Sequence, residues 1–257
     1  MAIGFHQMSY VSRSTGRSAV QAFAYISATT QFDSRRGLTT NYQNKADCVS
    51  TYAIVAPDHA PIWAKSVDVW DRLEQFVDST IEDRYLLPET ISHFKNTARV
   101  AQTHVFALPI ELNEEDWNSI LKELISEQFT ARDLVVGYAI HNDDGNPHAH
   151  LMTSLHRINE HDFVSIKERE LYQNSFRKDV FAGFADLCNA RLIERGFNSQ
   201  IDPRSYAERG LDLEPFVHEG WHARALAEKG EVSRLVLENE QIRLENAVKI
   251  SKILLLS

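Results

Sequence analysis

Two cysteines in 257 residues, Cys48 and Cys188, lie far apart and in no pattern. They exclude a disulfide scaffold and a cysteine-based zinc knuckle, and they fit a reducing cytoplasm. Long apolar runs are missing too; a stretch such as ILLL, 253–256, is far too short to span a bilayer. The start, MAIGFHQMSY, has no basic region followed by an apolar one, so no signal peptide is expected. No GxxxxGK[ST] phosphate loop occurs, so neither a nucleotide cofactor nor a helicase is expected in this chain. Net positive charge is absent as well. The formal charge is −9, which argues against a surface coated in bases for duplex binding.

What remains is ordinary for a soluble globular protein: 43% hydrophobic and 25% charged residues, with no internal repeat. The length suits one large domain, or one and a half, with a sizeable core. The charge is uneven. Residues 1–46 carry Arg13, Arg17, Arg35, Arg36 and Lys45 against the single acid Asp33, whereas ELNEEDWNSILKELISE, 111–127, is strongly acidic. A local basic face on an acidic protein follows.

Hydrophobic periodicity divides the chain. Alternation predicts strands at 3–12, 50–57, 99–109, 133–141 and 147–155. Helices are expected at 16–28, capped by Ser18, and at 113–129, capped by Asn113 with acids in its first turn. Others are expected at 61–84, 167–195 (stopped by Gly196), 202–215 and 231–252. Residues 31–47 read as loop, and 85–97 as loop with a short helix. Strands beside helices with hairpin joins give an α+β fold around an antiparallel sheet.

The segment AIHNDDGNPHAHLMTS, 139–154, holds three histidines in ten positions. On a strand, His148 and His150 share a face about 6–7 Å apart. A hairpin through NDDGN brings His141 alongside, and three imidazoles can then converge on a divalent metal with open positions left for substrate. Asn146 and Pro147 shape the turn, and Asp143 or Asp144 can orient a ligand histidine. His6, His104 and His156 read instead as packed or hydrogen-bonded. A metal alone leaves several chemistries open. Metal-bound water can hydrolyse a phosphodiester, histidine can be a nucleophile, or a tyrosine or serine can attack while the metal polarises the phosphate.

Three segments in this order, SYVSRSTGRSAVQAFAYISA, AIHNDDGNPHAHLMTS and IDPRSYAERGLDLEPFVHEG, resemble the MobA/MobL-type relaxases of mobilisable and conjugative plasmids, in the HUH endonuclease superfamily. FALPIELNEEDW is similar to that family's segment before the histidine motif. The resemblance spans about residues 2–221. It implies a central antiparallel sheet of about five strands flanked by helices. It also implies a site- and strand-specific nicking-joining enzyme that leaves a 5′-phosphotyrosine and a free 3′-hydroxyl at the transfer origin. By motif the nucleophile falls on Tyr25 and the metal ligands on His141, His148 and His150.

The implied cofactor is a divalent metal, Mn²⁺ or Mg²⁺, with Zn²⁺ or Ni²⁺ as further choices. The implied partners are single-stranded transfer-origin DNA, accessory relaxosome proteins and a type IV secretion coupling protein, without membrane insertion. The implied place is the bacterial cytoplasm, with translocation alongside the DNA strand.

Arg13, Arg17 and Lys45 suit DNA phosphate contacts, and Arg35 and Arg36 share Lys45's polar loop. Tyr10, Tyr52 and Tyr138 read as strand packing. The sequence departs from the family at Ile26, where a basic residue is usual, and at Thr103–Val105, where many relatives carry an acid. Asp143 is the substitute acid candidate. Residues 77–98 are longer than the usual connection. Residues 1–222 are expected to form the relaxase domain, and 223–257 a polar helix leading into a longer protein. The alternatives are a phosphodiesterase using metal-bound water and a catalytically weak origin-DNA binding protein.

Overall fold

The structure, a computed structural model, describes residues 4–143, 145–217, 226 and 229–256, without the side chains of Asp143 and of 252–256. Two compact units divide the chain, Met1–Pro203 and Arg204–Ser257. The first is built on a five-stranded sheet in the order β1-β5-β7-β6-β4, with every neighbouring pair antiparallel. The strands are β1 (His6–Ser12), β4 (Val49–Val55), β5 (Arg99–Ala107), β6 (Val136–Asp143) and β7 (Asn146–Ser154). The α+β expectation holds.

Both faces of the sheet are covered, so buried apolar residues of β6 and β7 point alternately into two cores. Val136, Tyr138, Ile140, Ala149 and Leu151 face one core with helices α4 (Glu114–Gln128) and α5 (Asn174–Glu194). Ala139 and Met152 face the other, with α1 (Ala19–Ser27) and α2 (Val69–Arg84). The expected caps are present. Ser18 accepts from the Gln21 N–H at 3.1 Å and Asn113 from the Asp116 N–H at 3.0 Å.

Four expectations need correction. Residues 31–47 are not merely loop, because β2 (Thr30–Asp33) pairs with β3 (Leu38–Asn41). Their turn is set by Asp33, whose carboxylate accepts the Arg36 N–H, and by Gly37 at φ 65°. The 61–84 helix begins only at Val69, after a 3₁₀ turn at Ile62–Lys65. The 167–195 helix begins at Asn174, because Lys167 closes a second ribbon, β8 (His156–Ile158) with β9 (Phe163–Lys167), and a 3₁₀ turn at Glu170–Tyr172 follows it. The amide oxygen of Asn159 accepts the His161 and Asp162 N–H groups and makes that ribbon's turn. The fourth is 202–215, which forms no helix. Ser205 and Glu208 make a reciprocal capping box, but Gly210 at φ 68° ends the segment one turn later. Residues 85–97 hold α3 (Pro88–Thr97), as expected.

The second unit contains α6 (Arg234–Leu256). The side-chain amides of Asn239 and Asn246 clamp the backbone of Val217 and Glu214. Among the described residues, no helix is long and apolar enough to cross a membrane.

Candidate metal and nucleophile site

The hairpin register places His141 directly opposite His148, with His150 opposite Ala139. All three imidazoles therefore share the sheet face that carries α1. Their ring centroids lie 4.5–5.2 Å apart and their planes are splayed by 55–71°. One nitrogen from each ring falls within 4.8 Å of the others. Bonds of about 2.0–2.1 Å to one ion need donors about 3–4 Å apart, so small ring rotations close the set.

Tautomers follow from the carbonyls these rings meet. His141 donates through Nε2 to the Ile26 carbonyl at 2.6 Å, and His148 donates through Nδ1 to the Asn146 carbonyl at 2.9 Å. Each imidazole then carries its lone pair on the other nitrogen, the arrangement a metal ligand needs. Burial, reinforced by His141, His148 and Lys45, pushes His150 down to about 3, so it is neutral at physiological pH. The donor set fits a divalent cation.

Tyr25 belongs to the same assembly. It sits on α1, 42% exposed, between buried Ala24 and Ile26. The carbonyl that receives His141 is that of its chain neighbour, so the tyrosine helix and the histidine cup are hydrogen-bonded to each other. The close approach depends on Gly137. A Cβ there would meet the Phe23 ring at 2.3 Å. β6 thus presents Gly137, Ala139 and His141 in sequence on that face, two small residues under the helix and then the ligand.

The Tyr25 hydroxyl accepts from the Lys45 ammonium at 3.0 Å, and the same ammonium lies 4.1 Å from the ring centroid. Tyr42 meets the Tyr25 ring edge-on at 5.3 Å. An exposed phenol, an adjacent cation and three converging imidazoles form a site for an anionic substrate and an oxygen nucleophile.

A model of the MobA/MobL family matches residues 17–229. The chain belongs to the MobA/MobL family. It is 29% identical over 277 residues to "Conjugal transfer protein TraA" of Rhizobium radiobacter, covering 97% of this chain and 24% of that protein. It is 29% identical over 291 residues to "Probable mobilization protein MobA" of Bifidobacterium longum (strain NCC 2705), covering 96% of this chain and 48% of that protein. The chain thus spans about a quarter of the first relative's length and about half of the second's. A solved structure, "Molecular Basis of Vancomycin Resistance Transfer in Staphylococcus aureus", shares the fold. Its TM-score is 0.68 at 21% identity, over 80% of this chain and all of that one.

Other expected site residues of this MobA/MobL chain lie elsewhere. Arg13 does not suit a DNA contact. Its side chain is buried, pairing with Glu74 at 2.6 Å and Asp78 at 2.5 Å. Glu74 also accepts the Ala19 N–H at 2.6 Å and so holds the N-terminus of α1. Burial raises Glu74 above the usual carboxylate range, with Arg13 opposing the shift. Arg13 and Glu74 therefore fasten α1, which carries Tyr25, to α2. The sequence offered no signal for Glu74, which lies 61 residues from Arg13.

Arg17 is exposed, as a phosphate contact requires. Lys45, expected on the DNA, sits at the Tyr25 hydroxyl. Arg35 pairs with Asp78, and Arg36 donates to the Gln21 side chain. Asp143 ends β6, but its side chain and all of Asp144 lie outside the described residues. The β5 residue opposite His150 is Val105, apolar where many relatives were expected to carry an acid. Tyr138 is buried and donates to the Asn118 amide at 2.5 Å, and Tyr10 donates to the Leu171 carbonyl, but Tyr52 is 45% exposed rather than packed.

Proposed function

We propose that this chain is a nicking-joining DNA transesterase that acts on single-stranded transfer-origin DNA during plasmid conjugation or mobilisation. The observation that carries the reading is the hydrogen bond from His141 to the Ile26 carbonyl, which couples the exposed Tyr25 to the three-histidine cup. Family membership and the names of the relatives support the same reading.

A phosphodiester is anionic and weakly electrophilic, so its attack needs charge neutralisation and a fixed nucleophile. His141, His148 and His150 would hold the divalent cation, which supplies positive charge to the non-bridging phosphate oxygens. Tyr25 supplies the nucleophile. Its oxygen bonds to phosphorus as the bond to the 3′-oxygen breaks. The phenol loses its proton and the departing oxygen takes one from solvent, leaving a free 3′-hydroxyl. Lys45 offsets negative charge that develops on the phenol oxygen, and the Tyr42 edge limits ring rotation. The phosphotyrosine diester conserves the energy of the cleaved bond, so attack by a 3′-hydroxyl rejoins DNA without ATP.

Three imidazoles rank Ni²⁺ and Zn²⁺ above Mn²⁺ by affinity. We propose Mn²⁺ or Mg²⁺ as the working ion, by their supply in the cell. The test is incubation of the chain and Mn²⁺ with labelled single-stranded oligonucleotides from the host plasmid's transfer region. A covalent protein–DNA band that disappears in Tyr25→Phe is expected. Multiple turnover without any covalent band would indicate metal-activated water instead, and binding without cleavage would indicate an origin-binding protein.

A further inference from the structure

β5 joins two ends of the sheet. Its last residue, Ala107, lies opposite His148, and its first residue, Arg99, lines a cavity of about 890 Å³ between α2, α3 and the β8–β9 ribbon. Eight residue steps at about 3.4 Å each separate these ends by roughly 27 Å. The cavity is therefore remote from the Tyr25 and histidine site.

Four cations surround it: Arg84 at the end of α2, Arg99, Lys167 at the end of β9, and Arg169. Among the described residues, no aspartate or glutamate lines it. The segment just past β9 sorts its charges. Glu168 is buried and pairs with Arg157, while Lys167 and Arg169 face the cavity. Among the described residues, Arg84, Arg99 and Arg169 have no carboxylate within ion-pair distance. Lys167 donates to the Arg99 carbonyl at 2.6 Å. Burial, then the charges of Arg13, Arg99 and Arg84, press its pKa down to about 8. Gathering like charges without counter-ions is unfavourable unless an anion offsets them. On a chain of net charge −9, such a cluster is a specific feature.

The walls between the cations are aromatic. Tyr85 stacks on Phe94 with centroids 4.5 Å apart, and Tyr172 stacks on Tyr10 at 5.5 Å. Phe94 and Tyr172 keep 38% and 41% of their surface exposed. Cations that track a phosphate backbone, interleaved with rings that accept base faces, are the chemistry of single-strand recognition. A duplex offers only the edges of its bases and cannot use these rings.

We propose that this cavity is a second binding site for single-stranded DNA, with phosphates on Arg84, Arg99 and Arg169 and bases stacked on Tyr85, Phe94 and Tyr172. It rests on the reading that the chain handles single-stranded DNA, but not on Tyr25 as nucleophile. A strand engaged at both sites runs along the sheet, and the cavity anchors it away from the scissile phosphate.

The test is fluorescence anisotropy of the whole chain with labelled oligothymidylate of about 30 nucleotides, a duplex of the same length, and inorganic pyrophosphate as competitor. Single-strand binding that falls at least about tenfold in Arg84→Glu/Arg169→Glu is expected, with a salt slope shallower by about 1–2, at about 0.7 per phosphate contact. Phe94→Ala/Tyr172→Ala should lose about tenfold with the slope unchanged. Mn²⁺ titration of each variant checks that the histidine cup is intact. The proposal is overturned by affinities unchanged in both variants, by equal affinity for duplex, by pyrophosphate displacing the strand stoichiometrically, or by no single-strand binding at all. Adduct formation with transfer-region DNA separates the two readings. An adduct without cavity-dependent binding sinks only the second site. Cavity-dependent binding without an adduct sinks only the nicking reading.

Discussion

Two groups of histidines share one sheet and do opposite things. His6 and His104 lie 3.0 Å apart, nitrogen to nitrogen, with rings nearly parallel at 5°. His104 passes its other nitrogen to the Gln102 amide at 3.0 Å, and Gln102 donates on to the Leu171 carbonyl at 2.7 Å. In that chain each imidazole lone pair or proton of His104 is consumed by a protein partner. In the cup the rings are splayed by 55–71°, and backbone carbonyls accept from one nitrogen of His141 and one of His148. Nearness of histidines is thus common to both groups. Convergence of lone pairs sets the cup apart.

The strongest way to break this contrast is His148→Ala. We expect loss of Mn²⁺ binding in calorimetry by more than about 100-fold and loss of the covalent DNA band. His104→Gln should leave metal affinity unchanged, and a His104 variant that lost the metal would erase the distinction. Gly137→Ala sharpens it by moving the tyrosine helix without touching a ligand. The new methyl meets Phe23, and a misplacement on the order of 1 Å costs about 100-fold in nicking rate, while Mn²⁺ affinity should change little.

A smaller effect is expected from Lys45→Met, about tenfold in the rate of adduct formation with substrate affinity less affected, if the ammonium acts on the phenol oxygen. Equal losses in rate and affinity would instead return Lys45 to a plain phosphate contact.

A further effect is in stability against pH rather than in activity. Burial lowers His6 and His156 from 6.5 to about 4, and holds His104 well below 6.5. Above pH 6.5 these rings are neutral whether folded or unfolded. Below it the unfolded chain takes up protons that the folded chain refuses, until about pH 4. Stability should therefore fall over that window by about 1.4 kcal/mol per pH unit for each ring. Denaturant midpoints for His156→Gln should show a shallower fall, and an identical pH profile would remove His156 from the account.

Much of this was legible in the sequence because it is local. Ser18 and Asn113 announce helix starts within three residues, and HNDDGNPHAH contains both its turn and its strand alternation. The same locality hid the rest. Arg13 in a Ser-rich link reads as a surface cation until Glu74, distant in sequence, arrives from α2. Lys45 reads as a loop base until the β2–β3 ribbon carries the chain back over α1 to the Tyr25 hydroxyl. The four-residue strands of that ribbon are too short and too polar to show alternation. The ring of Tyr52 alternates like a packed residue, but β4 is an edge strand and leaves it exposed.

The strand order has a consequence for synthesis. β7, the last of the five strands to leave the ribosome, occupies the middle of the sheet, between β5 and β6. Until it is inserted, β1–β5 and β4–β6 are separate pairs with open inner edges, and two of the three cup histidines have not been placed. The nascent protein therefore holds Tyr25 for more than a hundred residues before His148 and His150 can join it. A product truncated before Asn146 would be a pair of half-sheets with open edges and an incomplete histidine cup.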